Sequence, residues 1–132
     1  MIHKKVIKTD KVAIILPTYS PGIGVKGGTL VFISGCLATD NEGKVVGKGD
    51  IEAQTKQACE NIKAVLEACG GTMDNVVKFT NYFINRDDIP ASAKVRCQYC
   101  KKPYPPSTSV VVKELVHKDW LVEIEAVAVL DK

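Results

Sequence analysis

The chain is poor in aromatic residues, holds no apolar run longer than a strand, and gathers charge of neither sign into a block. Phe, Trp and Tyr make up 6% of its 132 residues, so a core must be built from Val, Ile, Leu and Ala. The longest apolar runs, residues 12–16 and 30–33, are of strand length and fall far short of a membrane span. The first residues, Met1-Ile2-His3-Lys4-Lys5, lead into no signal-peptide core. The expectation is a cytoplasmic protein without membrane contact. The net charge is a mild +3, and its basic residues are scattered. The densest groups, Lys4-Lys5 and Lys101-Lys102, lack aromatic neighbours spaced for base stacking, so nucleic acid is not the expected partner.

Metal and nucleophile chemistry are also under-supplied. An odd count of five cysteines without a secretion signal argues against a disulfide framework. Cys59 and Cys69 read as small buried hydrophobes in an amphipathic pattern. Cys97-Gln98-Tyr99-Cys100 would place two thiols on one helix face, but a zinc site needs four ligands and no second pair stands at useful spacing. Metal or redox chemistry is not expected of this pair, and packing against the sheet is its plainer role. His3 and His117 sit in no nucleophile-elbow context, so a Ser-His-Asp triad is not indicated. Gly22, Gly24, Gly27 and Gly28 precede a strand rather than a helix, which fits turns and not a phosphate cradle.

What is present is an ordinary globular balance, 45% hydrophobic and 25% charged. It suits one domain over residues 1–132, with no repeat or linker. Ile51, Thr55, Ala58, Ile62, Val65, Leu66 and Cys69 recur at steps of three and four, predicting a helix over residues 50–69, with Asp50 as N-cap and Gly70-Gly71 as its stop. A second helix is predicted over residues 89–101, capped by Asp87 or Asp88, with Pro90 in its first turn and Pro103 beyond its end. Strands are predicted at residues 29–34, 76–83, 108–112 and 121–129. An earlier strand falls near residues 5–8, and a hairpin at Asn41-Glu42-Gly43. In the last strand Val122, Ile124, Ala126 and Ala128 face one way, Glu123, Glu125, Val127 and Val129 the other. Trp120 is expected to start that strand and pack. The order β-β-α-β-α-β-β describes an α+β domain with two helices on one face of a mixed sheet. The opposite face also carries apolar residues, which implies a homo-oligomer with sheets packed at the interface.

Local sequence now meets this order of elements. Tyr104-Pro105-Pro106-Ser107-Thr108-Ser109-Val110, followed by Leu121-Val122-Glu123-Ile124-Glu125-Ala126-Val127-Ala128, resembles the C-terminal signature of the Rid (reactive intermediate deaminase, YjgF-like) family. That signature runs Pro-Ala-Arg-Ser/Thr-x-Val, then Val/Ile-Glu-Ile-Glu-Ala. Leu30-Val31-Phe32-Ile33-Ser34-Gly35, Asn61-Ile62-Lys63-Ala64-Val65-Leu66 and Asp74-Asn75-Val76-Val77-Lys78-Phe79-Thr80 are similar to its other elements, so the resemblance spans nearly the whole chain. It implies a chorismate-mutase-like homotrimer with clefts between subunits, hydrolysing enamines and imines such as 2-aminoacrylate without cofactor or metal.

The resemblance also implies site residues. Glu123 matches the acid that positions water, a sensible general base beside an imine carbon. Tyr19 matches the tyrosine of a Gly-Pro-Tyr-Ser motif whose neighbours have changed here. Ser34 and Gly35 match the cleft floor, and Ser109 a nearby hydrogen-bonding position. Asp87 falls where the family often has Asn. Ser107 stands where the family has the arginine that clamps the substrate carboxylate through two parallel charged hydrogen bonds. A hydroxyl cannot do this, and losing the pair would weaken carboxylate binding by about two orders of magnitude. The expected ligand is therefore neutral, cationic or anchored differently, with Arg86, Arg96 and Lys113 as the basic side chains that could replace the clamp. Two functions remain: a deaminase-like hydrolase with altered substrate range, or a non-catalytic trimer binding a small metabolite or a protein.

Overall fold

The computed structural model describes residues 3–15 and 17–131. Strands β1 (His3–Val6) and β2 (Ile23–Lys26) form an antiparallel ribbon. They are followed by β3 (Thr29–Leu37), helix α1 (Ile51–Ala68), β4 (Val76–Phe83), helix α2 (Ile89–Cys97), β5 (Ser107–Val111) and β6 (Val122–Leu130). The main sheet has the order β3-β6-β4-β5. β6 runs antiparallel to both β3 and β4, and β5 joins β4 in parallel, so the sheet is mixed. The parallel pair needs a crossover, and α2 supplies it; that places α2 beside the β5 edge.

α1 starts where Asp50 Oδ1 accepts the Ala53 N–H at 3.0 Å. It stops at Gly70, whose φ of +82° is a left-handed conformation that suits glycine. Its inner face differs from the predicted stripe. Ala58, Ile62 and Leu66 are buried as expected, as is Cys59, but Cys69 is exposed at the helix end and Val65 is 44% exposed. Their place inward is taken by Gln54, fully buried because it is satisfied: it donates to the Asp119 and Gly47 carbonyls and accepts the Leu121 N–H at 2.8 Å.

α2 begins at Ile89 with Asp88 at its N-cap position, one of the two expected residues, but the Asp88 side chain makes no capping hydrogen bond. Asn85 Oδ1 accepts the Asp87 N–H at 2.9 Å and caps a preceding 3-10 turn, Arg86–Asp88. The helix ends at Cys97, so Cys100 lies past its end and the two thiols do not share a helix face. A buried hydroxyl pair, Thr55 to Ser92 at 2.7 Å, pins α2 to α1.

β4 matches its predicted limits, while β3 runs on to Leu37 and β1 lies two residues earlier than expected. β2 lies in the glycine-rich stretch read only as turns. The turn at residues 41–43 forms, with Asp40 Oδ1 accepting the Glu42 and Lys44 N–H groups at 2.9 Å and a single bridge from Thr39 to Val45. Trp120 packs just before β6, its Nε1 donating to the Ala38 carbonyl at 3.2 Å. Residues 12–15 form no strand and are exposed; Leu16 lies outside the described residues.

The core lies between helices and sheet. Ile62 and Leu66 of α1, Phe79 and Phe83 of β4, and Val122, Ile124, Ala126 and Ala128 of β6 are buried together. Each large side chain contributes about 1.5–3 kcal/mol by leaving water. The opposite sheet face is open, and Phe32 on it is 76% exposed.

Candidate functional site

The sheet divides the candidate residues into two groups. Phe79 and Asn81 of β4 point to the helices and are fully buried. Their register partners on β5 are Ser107 and Ser109, which therefore stand on the helix side. Tyr82 pairs with Glu123 and Thr80 with Glu125 on the other face. Side chains alternate along a strand, so one copy of the chain cannot bring Glu123 to Ser107.

On the helix side a cavity of about 250 Å³ is lined by Ile15, Thr18, Tyr19, Ile89, Ala93, Arg96, Ser107 and Ser109. Three of the residues singled out in the sequence meet here: Tyr19, Ser107 and Ser109. Arg96 is the only candidate replacement cation on this wall; Arg86 and Lys113 are exposed elsewhere. Arg96 is 3% exposed. Its guanidinium lies 5.3 Å from the centre of the Phe79 ring, donates from Nη1 to Asn81 Oδ1 at 3.2 Å, and donates from Nη2 to the Thr18 carbonyl at 3.4 Å. Burial lowers its pKa from the usual guanidinium value, yet a guanidinium stays charged at neutral pH. No carboxylate of the described residues stands within ion-pair distance of it. Asn81 Nδ2 donates to Ser107 Oγ at 2.8 Å, to the Thr108 carbonyl at 3.0 Å and to Ser109 Oγ at 3.3 Å.

On the open face a cleft of about 320 Å³ is lined by Gly35, Tyr82, Val112, Glu114, Leu115, Glu123 and Glu125. Its floor is a β-bulge in β3 between Ile33 and Cys36, where two residues oppose one and the backbone bends. Gly35 sits in that bulge against Glu123. A Cβ on residue 35 would overlap Glu123 Oε2 and come within 2.7 Å of its Cδ. The carboxylate thus occupies the space that glycine leaves. Tyr82 donates its hydroxyl to Glu125 Oε1, a bond that raises the phenol pKa. Ser34 is exposed beside Gly35, its carbonyl accepting the Cys36 thiol at 3.5 Å. Asp87 is exposed on the 3-10 turn and lines neither cavity. Among the described residues no group of His, Cys, Asp and Glu is arranged to hold a metal ion, and no helix is long and apolar enough to cross a membrane.

Asn81, Tyr82 and Glu125 were not singled out from the sequence as site residues. The available signal for Asn81 was an amide in an inward position of β4, between Phe79 and Phe83, where a buried polar group must be satisfied.

The family model described as Endoribonuclease L-PSP matches residues 11–130 of this chain. A RutC family protein of Pyrococcus abyssi is 38% identical over 125 residues, covering 95% of this chain and 96% of its own. A 2-iminobutanoate/2-iminopropanoate deaminase of Dermatophagoides farinae is 33% identical, covering 99% of this chain and 100% of its own. The crystal structure of YyfB, a Rid family protein of unknown function from Yersinia pestis, superposes with a TM-score of 0.81 at 28% identity, covering 96% of this chain and 98% of its own.

Proposed function

This chain belongs to the Endoribonuclease L-PSP family, the Rid or YjgF-like family of its sequence signature, and on that premise we propose that it hydrolyses a small enamine or imine in a cleft shared between copies of itself. The observation that carries the reading is the fit of Glu123 to Gly35. The chain gives up a side chain at residue 35, on a bulge, and a carboxylate fills the space. Glu123 holds a water there and takes its proton as the oxygen adds to the imine carbon. That proton passes to the nitrogen; the proton left on the added oxygen follows as the C–N bond breaks, ammonia leaves, and a ketone remains. Ser34 and Gly35 form the floor beside it.

The ligand-holding residues Tyr19, Ser107 and Ser109 line the opposite side of the sheet. A complete cleft therefore takes its water-placing half from one copy and its ligand-holding half from another, as a homotrimer would arrange. The exposed Phe32 on the open face is the kind of surface such packing covers. Cleavage of RNA finds no support in this geometry: Glu114, Glu123 and Glu125 crowd the open cleft and would repel phosphate. A non-catalytic metabolite binder is the second reading, favoured by the hydroxyl of Ser107 in place of the family arginine.

The test follows the decay of 2-aminoacrylate, generated in place from serine by a pyridoxal enzyme, and of the imine it becomes. The wild type is expected to accelerate decay, and Glu123→Ala to return it to background. No acceleration by the wild type would remove the hydrolase reading and leave the binder.

A further inference from the structure

The two densest basic pairs of the sequence, Lys4-Lys5 and Lys101-Lys102, stand far apart along the chain. The fold brings one residue of the first pair and both of the second to a single cavity of about 250 Å³. It lies where the β1–β2 ribbon meets the 3-10 turn Met73–Asn75 and the segment between α2 and β5. Its lining residues differ from those of the helix-side cavity and of the open-face cleft, so imine hydrolysis does not account for it.

Asp74 gathers two of the cations. Its carbonyl accepts from Lys4 Nζ, and its carboxylate pairs with Lys101 Nζ at 3.2 Å. Lys102 Nζ lies 6.0 Å from the centre of the Tyr104 ring, within reach of its negative face. Among the described residues three ammonium groups line the cavity against one carboxylate, a surplus of two positive charges. Asp131 also faces Lys4 without lining the cavity, and Cys100 adds no charge, because burial pushes its thiol up to about 11. Burial of its ammonium end lowers the Lys4 pKa despite both acids, the sign of a cation partly withdrawn from water. Like charges drawn together in this way cost free energy until an anion joins them.

Beneath the rim the cavity is apolar. Met73, Val76 and Pro105 are buried, and half-buried Ile23 closes one side from β2. The described cations are all lysines. Arginine presents a flat fork that suits a carboxylate, whereas separate ammonium groups on flexible stems act as point charges and can close around a tetrahedral oxyanion. A phosphomonoester carries close to two negative charges at neutral pH, which matches the surplus. A nucleic-acid backbone calls for a stripe of cations with aromatic platforms; here a few lysines ring one hole.

We infer that this cavity is a second ligand site, in which Lys4, Lys101 and Lys102 hold the phosphate of a small phosphomonoester and Ile23, Met73, Val76 and Pro105 hold its apolar body. A cavity of this size, below the range of drug-sized ligands, holds about one ring, and the flexible thioether of Met73 adapts to it. The site goes beyond the cleft reading and does not depend on it.

The test is titration calorimetry of phenyl phosphate, inorganic phosphate and phenol against the full chain, with an oligothymidylate as a fourth probe. Phenyl phosphate is expected to bind about tenfold or more tightly than either of its fragments, because it alone fills both rim and floor. Its affinity is expected to fall as salt rises and screens the lysines. Lys4→Gln/Lys102→Gln, at two exposed positions, is expected to cut that affinity about tenfold and to flatten the salt dependence. Unfolding midpoints check that the double variant folds. Should it not, Lys102→Gln alone, outside every strand and helix, is expected to weaken phenyl phosphate about threefold. Undetectable binding of phenyl phosphate, inorganic phosphate binding as tightly, or an affinity unchanged in a folded lysine variant would each overturn the inference. So would an oligothymidylate that binds more tightly than phenyl phosphate and loses its affinity in the same variants, since the rim would then be a nucleic-acid surface.

Discussion

The two faces of the sheet carry opposite chemistry on one set of strands. On the helix side β4 and β5 present Asn81, Ser107 and Ser109 around a buried guanidinium, an arrangement that offers hydrogen-bond donors. On the open side β4 and β6 present Tyr82, Glu123 and Glu125, an arrangement that offers negative charge and acceptors. The period of two along a strand is enough to sort them. The two groups can therefore be varied independently, and a change at Ser107 need not disturb Glu123. The same sorting is why the proposed cleft needs more than one copy of the chain.

The contrast can be broken most sharply at the bulge. Gly35→Ala would drive a methyl group into the Glu123 carboxylate, and the rate of imine hydrolysis is expected to fall by about 10²–10⁴-fold, the usual contribution of a placed general base. Steady-state kcat/KM measures it. A variant with wild-type activity would show that the carboxylate is not where the proton goes.

The second way to sharpen it is to truncate one phenylalanine on each side. Phe79 is fully buried against Arg96 and the helices, and Phe79→Ala is expected to cost about 3–5 kcal/mol in urea unfolding. Phe32 is exposed on the open face, and Phe32→Ala is expected to stay within about 0.5 kcal/mol for a lone subunit. If copies pack on this face, its effect grows with protein concentration, because assembly stabilises the folded state by mass action. A cost for Phe32→Ala equal to that of Phe79→Ala at every concentration would contradict the open-face description.

The smallest effect concerns the thiols. Cys59, buried in α1, has its pKa raised from 9.0 to about 12 by burial. A raised thiol pKa means the folded chain holds a proton that the unfolded chain gives up. Its contribution to stability is full below about pH 9 and is lost as pH rises toward about 12. Unfolding midpoints measured across that range are expected to fall less steeply in Cys59→Ala than in the wild type. Cys69, exposed at the end of the same helix, is expected to react first with iodoacetamide at neutral pH, and Cys59 not at all until the chain unfolds.

Much of this arrangement is legible in the sequence. The alternation of Val122, Ile124, Ala126 and Ala128 with Glu123 and Glu125 places the last strand and both its faces correctly, because period-two burial is local information. β4 and the start of α1 are equally readable from β-branched density and from the Asp50 cap. β2 is not, since Ile23-Gly24-Val25 has too few side chains to signal a strand, and its pairing with β1 comes from far along the chain. The burial of Gln54 in place of Val65 depends on carbonyls of residues 47 and 119, which only the fold brings together. The helix-side pocket was half visible. Tyr19, Ser107 and Ser109 stand out by family signature, whereas Arg96 is one of three equal cations until the crossover of α2 lays it over Asn81.

The central claim, that a working cleft draws Glu123 from one copy and the Arg96-Asn81-Ser107 pocket from another, has a direct measurement. Glu123→Gln and Asn81→Asp are each expected to be inactive alone, one lacking the base and the other the ligand pocket. Unfolded and refolded together in equal amounts, they form mixed oligomers in which some clefts pair an intact Glu123 with an intact pocket. Imine hydrolysis is then expected to recover to roughly a quarter of the wild-type rate, the random share of such pairings. Recovery no greater than the sum of the two variants alone would contradict the shared cleft.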